Sequence, residues 1–187
     1  MVKKINTCVF ISGKGSNLNS IIKSSREYNF PVVIKLVISN NSNAGGIKYA
    51  KKYGIPYKFY SSKNHSRFER SCLIELKKRK IKLICLAGFM KILSKNFISK
   101  FKNNIINIHP SLLPKFKGLN TYKKVLENKE IYSGCTVHYV NSKLDSGFII
   151  LKKRTLINKN DTENSLKLKI LKQEHKLYPQ AIRLLYK

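Results

Sequence analysis

The sequence has no apolar run long enough to cross a membrane. A transmembrane helix needs about 18 consecutive apolar residues, and no run in the chain approaches that length. The N-terminal segment 1–4 leads directly into a strand-like stretch and does not have the pattern of a signal peptide. We therefore expect a cytoplasmic protein that has no membrane partner.

Cysteine is also scarce, and its spacing argues against two kinds of site. The four cysteines are far apart in the sequence, with no C-x-x-C pair and no cysteine–histidine spacing typical of zinc. Cys85, for example, lies between two apolar residues, which is typical of core packing. We expect reduced, packed thiols and no bound metal ion.

Acidic residues number only 9 against 38 basic ones, which gives a net charge of +29. Such a charge would suit a nucleic-acid-binding module, and that alternative stays open. The basic residues, however, are mostly lysines spread along the whole chain, and no basic stretch is interleaved with aromatic residues. The pattern favours a solvated basic surface that attracts small anions and binds no specific nucleic acid.

Short apolar runs alternate with helical patterns through the first half of the chain, which predicts βαβ units and a parallel sheet. At 187 residues and 42% hydrophobic content, one α/β domain covering 1–187 is expected. The predicted strands and helices alternate in the order 5–11, 18–28, 32–38, 44–53, 57–60, 68–78 and 82–87. The segment 83–87 is apolar throughout and predicts a strand buried on both faces.

The second half of the chain has a different pattern. Segments 133–140 and 148–156 resemble two longer strands, and the short connection between them predicts an antiparallel extension of the sheet. A short helix is predicted near 121–127. A final helix is predicted from Thr162, a plausible N-cap, to Leu185, with Pro179 bending or breaking it. By pattern alone, Glu174 and His175 on this helix belong to a solvated charged face.

The segment Gly13-Lys14-Gly15-Ser16-Asn17 follows the first strand and precedes the first helix. Glycines permit close approach of the backbone, and a helix N-terminus offers free N–H groups to an anion. The segment lacks the third glycine of the dinucleotide fingerprint and the Ser or Thr of a Walker A loop. It therefore suits a monophosphate, although a plain turn in which Ser16 or Asn17 caps the helix explains the pattern equally well.

Asn107 and His109 occupy alternate positions in a strand that stops at Pro110, so both side chains face the same way. The carboxyl end of a buried strand is where open α/β sheets bind ligands. Asp145 lies in a Leu-Asp-Ser-Gly turn, and a carboxylate beside His109 would orient the ring and favour its cationic form. His138 alternates within a strand and is predicted to be structural or at the sheet edge.

These motifs together resemble phosphoribosylglycinamide formyltransferases, a family of folate-dependent enzymes of purine synthesis. The resemblance extends over nearly the whole chain, and its most specific part is the Asn-x-His-Pro-Ser-Leu-Leu-Pro run followed by the Asp145 turn. It implies a Rossmann-like formyltransferase fold, with a phosphate-binding half at 1–100 and a catalytic, folate-binding half at 101–187. It also implies transfer of a formyl group from 10-formyltetrahydrofolate to the amine of glycinamide ribonucleotide, in a monomer or weak homodimer.

The resemblance assigns roles to individual residues. Asn107, His109 and Asp145 would be catalytic, Glu174 would contact the ribonucleotide, and the phosphate would be held by Gly15, Ser16 and Asn17. The folate site would comprise Asn107 together with His65, Met90, Lys91, Ile92 and Leu93. His65 stands where relatives have a folate-contacting Arg, unless Arg67 takes that place, and Lys91 also replaces an Arg. Lysine cannot reproduce the two-pronged hydrogen bonding of arginine.

Two related activities remain as alternatives. Methionyl-tRNA formyltransferases carry a further C-terminal domain and lack the Gly-Ser-Asn loop, so this chain is expected not to be one of them. Formyltetrahydrofolate hydrolases carry an N-terminal regulatory domain and typically a second His where this sequence has Pro110.

Overall fold

A computed structural model describes residues 4–186, so the prediction for the first three residues lies outside the described part. The strands and helices follow in the order β1 (Ile5–Ile11), α1 (Ser16–Ser25), β2 (Val32–Ser39), α2 (Ile47–Lys52), β3 (Tyr57–Phe59), α3 (His65–Lys78), β4 (Leu83–Leu86), α4 (Lys95–Phe101), β5 (Asn104–His109), α5 (Thr121–Glu127), β6 (Tyr132–Tyr139), β7 (Ile149–Leu156) and α6 (Glu163–Leu185).

The strands form one seven-stranded sheet in the order β3-β2-β1-β4-β5-β6-β7. All pairings from β3 to β5 are parallel, whereas β6 and β7 add antiparallel strands beyond β5. The structure confirms the predicted α/β class, the parallel N-terminal half and the antiparallel extension. The segment predicted to be a doubly buried strand forms β4, and each of its residues is buried.

Side chains of the central strands alternate between two apolar layers. In β1, Val9 joins the layer that contains Leu18 of α1, whereas Phe10 joins the layer that contains Phe68 of α3 and Phe97 of α4. The period of two in a strand produces this division, because successive side chains point to opposite faces. All four cysteines are buried and unpaired, as predicted.

Two features of the helices differ from the sequence-based expectations. Helix α4 was not predicted, and helix α6 continues through Pro179, so the helix does not break there as one of the two expectations had it. Proline removes the N–H that would bond the carbonyl of His175 four residues earlier. In the structure the hydroxyl of Ser20 donates to that carbonyl, which helps α6 to continue.

The strand order reverses between β1 and β4, because the chain crosses over in opposite directions from these two neighbouring strands. Open α/β sheets bind ligands in the crevice outside such a point. The segments after the two strands are joined: Ser12 N–H donates to the Gly88 carbonyl at 3.1 Å, and Met90 N–H donates to the Ser12 hydroxyl at 2.8 Å. In the described residues no helix is both long and apolar enough to cross a membrane.

Candidate active site

Four polar side chains meet at the carboxyl end of β5. Strand β6 runs antiparallel to β5, and its register places His138 opposite Asn107 and Thr136 opposite His109. Directly opposed residues project from the same face of a sheet. The site therefore combines the predicted pair Asn107 and His109 with two residues of β6.

Both ring nitrogens of His109 face hydrogen-bond acceptors. Nδ1 lies 3.4 Å from Oδ2 of Asp145, and Nε2 lies 2.9 Å from the carbonyl oxygen of Phe116. Neither an ionised carboxylate nor a carbonyl can donate, so the doubly protonated imidazolium matches both contacts. His109 is buried, which strengthens these contacts because little water competes for them.

Asp145 connects three parts of the site. Its Oδ2 atom accepts a hydrogen bond from the Gly118 N–H at 2.9 Å, and its Oδ1 atom lies 3.6 Å from Nε2 of His138. The residue has a φ of 45°, in the left-handed region that Asp adopts more readily than most other residues with a side chain. The carboxylate is thus fixed between the two histidines and the loop that follows β5.

That loop is held in place by Thr136, which is fully buried. Its hydroxyl donates to the Ser111 carbonyl at 2.7 Å and accepts from the Leu113 N–H at 3.1 Å. The Ser111 hydroxyl in turn donates to the Lys115 carbonyl at 2.7 Å, next to the Phe116 carbonyl that contacts His109. A cavity of about 340 Å³ lies on this loop, with walls that include Phe116, Ser133 and Arg154 but none of the predicted site residues.

The sequence-based interpretation of His138 was incomplete. The residue is buried in an interior strand, not at the sheet edge, and it contacts both Asp145 and the Asn107 side chain. Burial lowers the pKa of the His138 ring, since the cation would be poorly solvated. Among residues 4–186, no group of three or more His, Cys, Asp or Glu side chains is arranged to hold a metal ion.

The glycine-rich loop after β1 has the geometry of an open helix N-terminus. Gly15 is the N-cap of α1 with a φ of 74°, and no side chain within residues 4–186 caps the helix. The alternative in which Ser16 or Asn17 caps α1 is therefore wrong. A Cβ atom on Gly15 would lie 2.4 Å from the Cα of Gly46, so glycine is required for this close approach. The uncapped first turn can receive an anion.

Asn17 and Glu174 are brought together although they are far apart in the sequence. The Asn17 side-chain amide donates to Oε2 of Glu174 at 2.7 Å, and both residues are buried. The expectation of a solvated face is wrong for Glu174, which packs against the start of α1. Burial raises the pKa of its carboxyl group to about 7, and the bond from Asn17 offsets part of that rise.

The residues assigned to the folate site differ in how exposed their side chains are. Met90, Lys91 and Ile92 are exposed beside the crevice, whereas Leu93 is buried in the core layer that contains Phe97. Their arrangement as one binding surface stays a prediction.

His65, at the start of α3, is connected to the end of this segment through one buried carboxylate. His65 Nε2 lies 3.0 Å from Oε1 of Glu69. The same carboxylate accepts from the backbone N–H and the hydroxyl of Ser94, both at 2.6 Å. Ser94 directly follows Leu93, so His65 is held near the 90–93 segment. The backbone N–H of Arg67 donates to the Asn64 side chain, which caps α3.

Comparisons with known proteins agree with this arrangement. Residues 5–182 match the family described as Formyl transferase. The chain is 40% identical over 185 residues to phosphoribosylglycinamide formyltransferase of Haemophilus influenzae. The aligned region covers 97% of this chain and 86% of that protein. The crystal structure of the Brucella melitensis phosphoribosylglycinamide formyltransferase superimposes with a TM-score of 0.94 at 36% identity, covering 98% of this chain and 96% of that one.

The chain is also similar to part of a much larger protein. It is 41% identical over 187 residues to the human trifunctional purine biosynthetic protein adenosine-3, and it spans 18% of that protein's length. The similarity covers 97% of this chain, so it corresponds to one segment of the trifunctional relative.

Proposed function

Because the chain belongs to the formyl transferase family, we propose that it transfers a formyl group from 10-formyltetrahydrofolate to the amine of glycinamide ribonucleotide in purine synthesis. The observation that carries this proposal is the position of His109, paired with Asp145 at 3.4 Å on the same strand end as Asn107. Acyl transfer needs a donor to a developing oxyanion and a group that moves a proton, and this trio can provide both.

The proposed reaction begins when the glycinamide nitrogen attacks the formyl carbon. A carbon–nitrogen bond forms, and the carbonyl electron pair moves to the formyl oxygen. The Asn107 amide and the His109 cation stabilise that negative oxygen, and Asp145 holds His109 in its charged form. When the oxygen returns its electron pair, the bond to the folate nitrogen breaks, and the proton lost by the amine passes to that nitrogen with the help of Asp145 and water.

The contact between His109 and Phe116 adds a requirement to this mechanism. In the structure the Nε2 proton of His109 is occupied by the Phe116 carbonyl, 2.9 Å away. One proton cannot make two strong, straight hydrogen bonds at once. Substrate binding must therefore move the Phe116 carbonyl away before His109 can donate to the formyl oxygen.

Substrate binding is proposed along the crevice between the ends of β1 and β4. The phosphate lies on the N–H groups of Gly15, Ser16 and Asn17, because the uncapped first turn of α1 offers donors and a positive dipole end. Glu174 contacts the ribonucleotide beside Asn17. The folate lies along the 90–93 segment and His65, next to Asn107.

The proposal places the protein in the cytoplasm, acting on two small molecules with no membrane or specific nucleic-acid partner, as a monomer or weak homodimer. The cation excess then increases the encounter rate with its anionic substrates.

The test is formyl transfer from 10-formyltetrahydrofolate to glycinamide ribonucleotide, with initiator methionyl-tRNA and water as competing acceptors. We expect transfer to the ribonucleotide only, and His109→Ala to lower kcat by roughly 10²-fold to 10⁴-fold. His175→Gln is the matched control, because His175 lies on the helix outside the proposed catalytic group, and it should retain activity. Transfer to the tRNA, or full activity in His109→Ala, would contradict the proposal.

A further inference from the structure

The hydrogen bonds of His138 determine which nitrogen of its ring carries the proton. Nδ1 lies 2.8 Å from the carbonyl oxygen of Tyr139, and a carbonyl only accepts, so Nδ1 must be protonated. Burial lowers the pKa of the ring, an effect that His109 and Lys117 reinforce and that the Tyr139 carbonyl and Asp145 oppose. A neutral ring has a single N–H, so Nε2 is left as an acceptor.

The acceptor Nε2 faces two side chains, and only one of them can donate to it. The Asn107 side-chain amide lies 3.3 Å away, whereas Oδ1 of Asp145 lies 3.6 Å away. An ionised carboxylate has no proton to give, and the longer distance exceeds that of a hydrogen bond. Asn107 is therefore the donor, and its NH₂ group points toward His138.

This bond fixes the orientation of the Asn107 amide. One N–H is used by His138, and the second remains for another acceptor. If the amide were turned over, its oxygen would take the place of the nitrogen. Lone pairs would then point both at Nε2 and at the position that the second N–H occupies. An oxygen there would repel a developing oxyanion, whereas an N–H stabilises one.

We propose that His138 is a positioning residue. In its neutral form, protonated on Nδ1, it accepts from Asn107 and so directs the second Asn107 N–H at the formyl oxygen. This inference rests on the proposed function for the identity of the substrate, but the protonation state of the ring can be measured without any substrate.

The first test is ¹⁵N NMR of histidine-labelled protein at pH 7.5, which distinguishes the two neutral tautomers and the cation. The chain has four histidines, and the signals of His138 are identified by their loss in His138→Gln. We expect a protonated Nδ1 and an unprotonated Nε2. A ring protonated on Nε2, either as the other tautomer or as the cation, would overturn the inference whether or not the protein transfers formyl groups.

The second test asks whether His138 acts through Asn107. His138→Phe keeps a ring but removes the acceptor. We expect kcat to fall roughly 10-fold to 100-fold, less than the loss of a whole oxyanion donor, with the KM of each substrate nearly unchanged. The same substitution in an Asn107→Ala background should have almost no further effect, because the amide that His138 orients is already absent.

Two comparisons keep this kinetic test interpretable. His138→Gln can still accept through its amide oxygen, so it should retain more activity than His138→Phe. An equal loss from His138→Phe in both backgrounds would show that His138 does not act through Asn107, and would refute the proposal. If His138→Phe does not fold, the tautomer measured in the unsubstituted protein decides alone. If no formyl transfer is observed at all, the proposed function fails while the tautomer result stands.

Discussion

Glu174 offers a quantitative test of the structure, because its carboxyl group is buried and its pKa is raised from 4.5 to about 7. In the unfolded chain the group ionises near its ordinary pKa, so folding disfavours the charged form. The stability from this shift is fully present below the unfolded pKa and is lost as the pH rises through the folded pKa. The folded protein should therefore become less stable, through this group, between about pH 4.5 and pH 7.

Replacing Glu174 with Gln removes the titration and keeps the shape of the side chain. The amide oxygen of Gln can still accept the 2.7 Å hydrogen bond from Asn17. Linkage gives an ionisation penalty for Glu174 of about 1 kcal/mol at pH 5 and about 3 kcal/mol at pH 8.5. The free energy of unfolding of Glu174→Gln, relative to the unsubstituted protein, should therefore rise by roughly 2 to 3 kcal/mol between these two pH values.

Urea denaturation of both proteins at pH 5 and pH 8.5 measures this difference. Because only the difference between two proteins is compared, the other titrating groups largely cancel. The control is Glu127→Gln, which removes an exposed carboxylate paired with Lys123 at 3.7 Å; its effect should differ by less than about 0.5 kcal/mol between the two pH values. A Glu174→Gln effect that does not change with pH would refute the inference that burial raises the pKa of the Glu174 carboxyl group.

Three further predictions concern the loop, the catalytic pair and the last helix. Gly15→Ala should reduce the free energy of unfolding by more than about 2 kcal/mol, because it combines a left-handed φ with a clash against Gly46. Gly54→Ala, which has a similar φ but open space, should lose only about 1 kcal/mol in urea denaturation. Asp145→Asn should lower kcat about 10²-fold or more in the formyl-transfer assay, and an unchanged kcat would remove Asp145 from the mechanism. Thr162→Ala should destabilise the protein by about 1 kcal/mol in urea denaturation, because Thr162 and Ser165 cap α6 reciprocally; no loss would mean that the cap is not formed in solution.

Sequence patterns predicted those parts of the fold that depend on neighbouring residues. The alternation of apolar runs identified β1 and β4, and Thr162 marked the start of α6 correctly, since a cap acts within one turn. Helix α4 has seven residues, of which only Phe97 and Phe101 are buried. So short an element carries less than two turns of periodic signal, which is too little for a pattern to identify.

The candidate site shows the limit of such reasoning more clearly. The same-face placement of Asn107 and His109 follows from the two-residue period of a strand. The contact of His138 with Asn107 depends on the register between β5 and β6, which a single strand's pattern does not specify. Likewise, Glu174 is buried because Asn17, 157 residues away, packs beside it. A helical pattern can place Glu174 on a face, but it cannot tell what covers that face.

The scarcity of acidic residues bears on both the net charge of the protein and the proposed active site. Each of the nine acids has a defined setting among the described residues. Seven contact a lysine, arginine or histidine nitrogen, Glu163 lies in the first turn of α6, and Glu174 is buried beside Asn17. The chain has 38 basic residues, and the ion pairs found in residues 4–186 use five lysines and arginines. The net charge that suggested nucleic-acid binding therefore reflects how few acidic residues the chain has. Two of those acids have roles in the proposed reaction: Asp145 beside His109, and Glu174 beside Asn17.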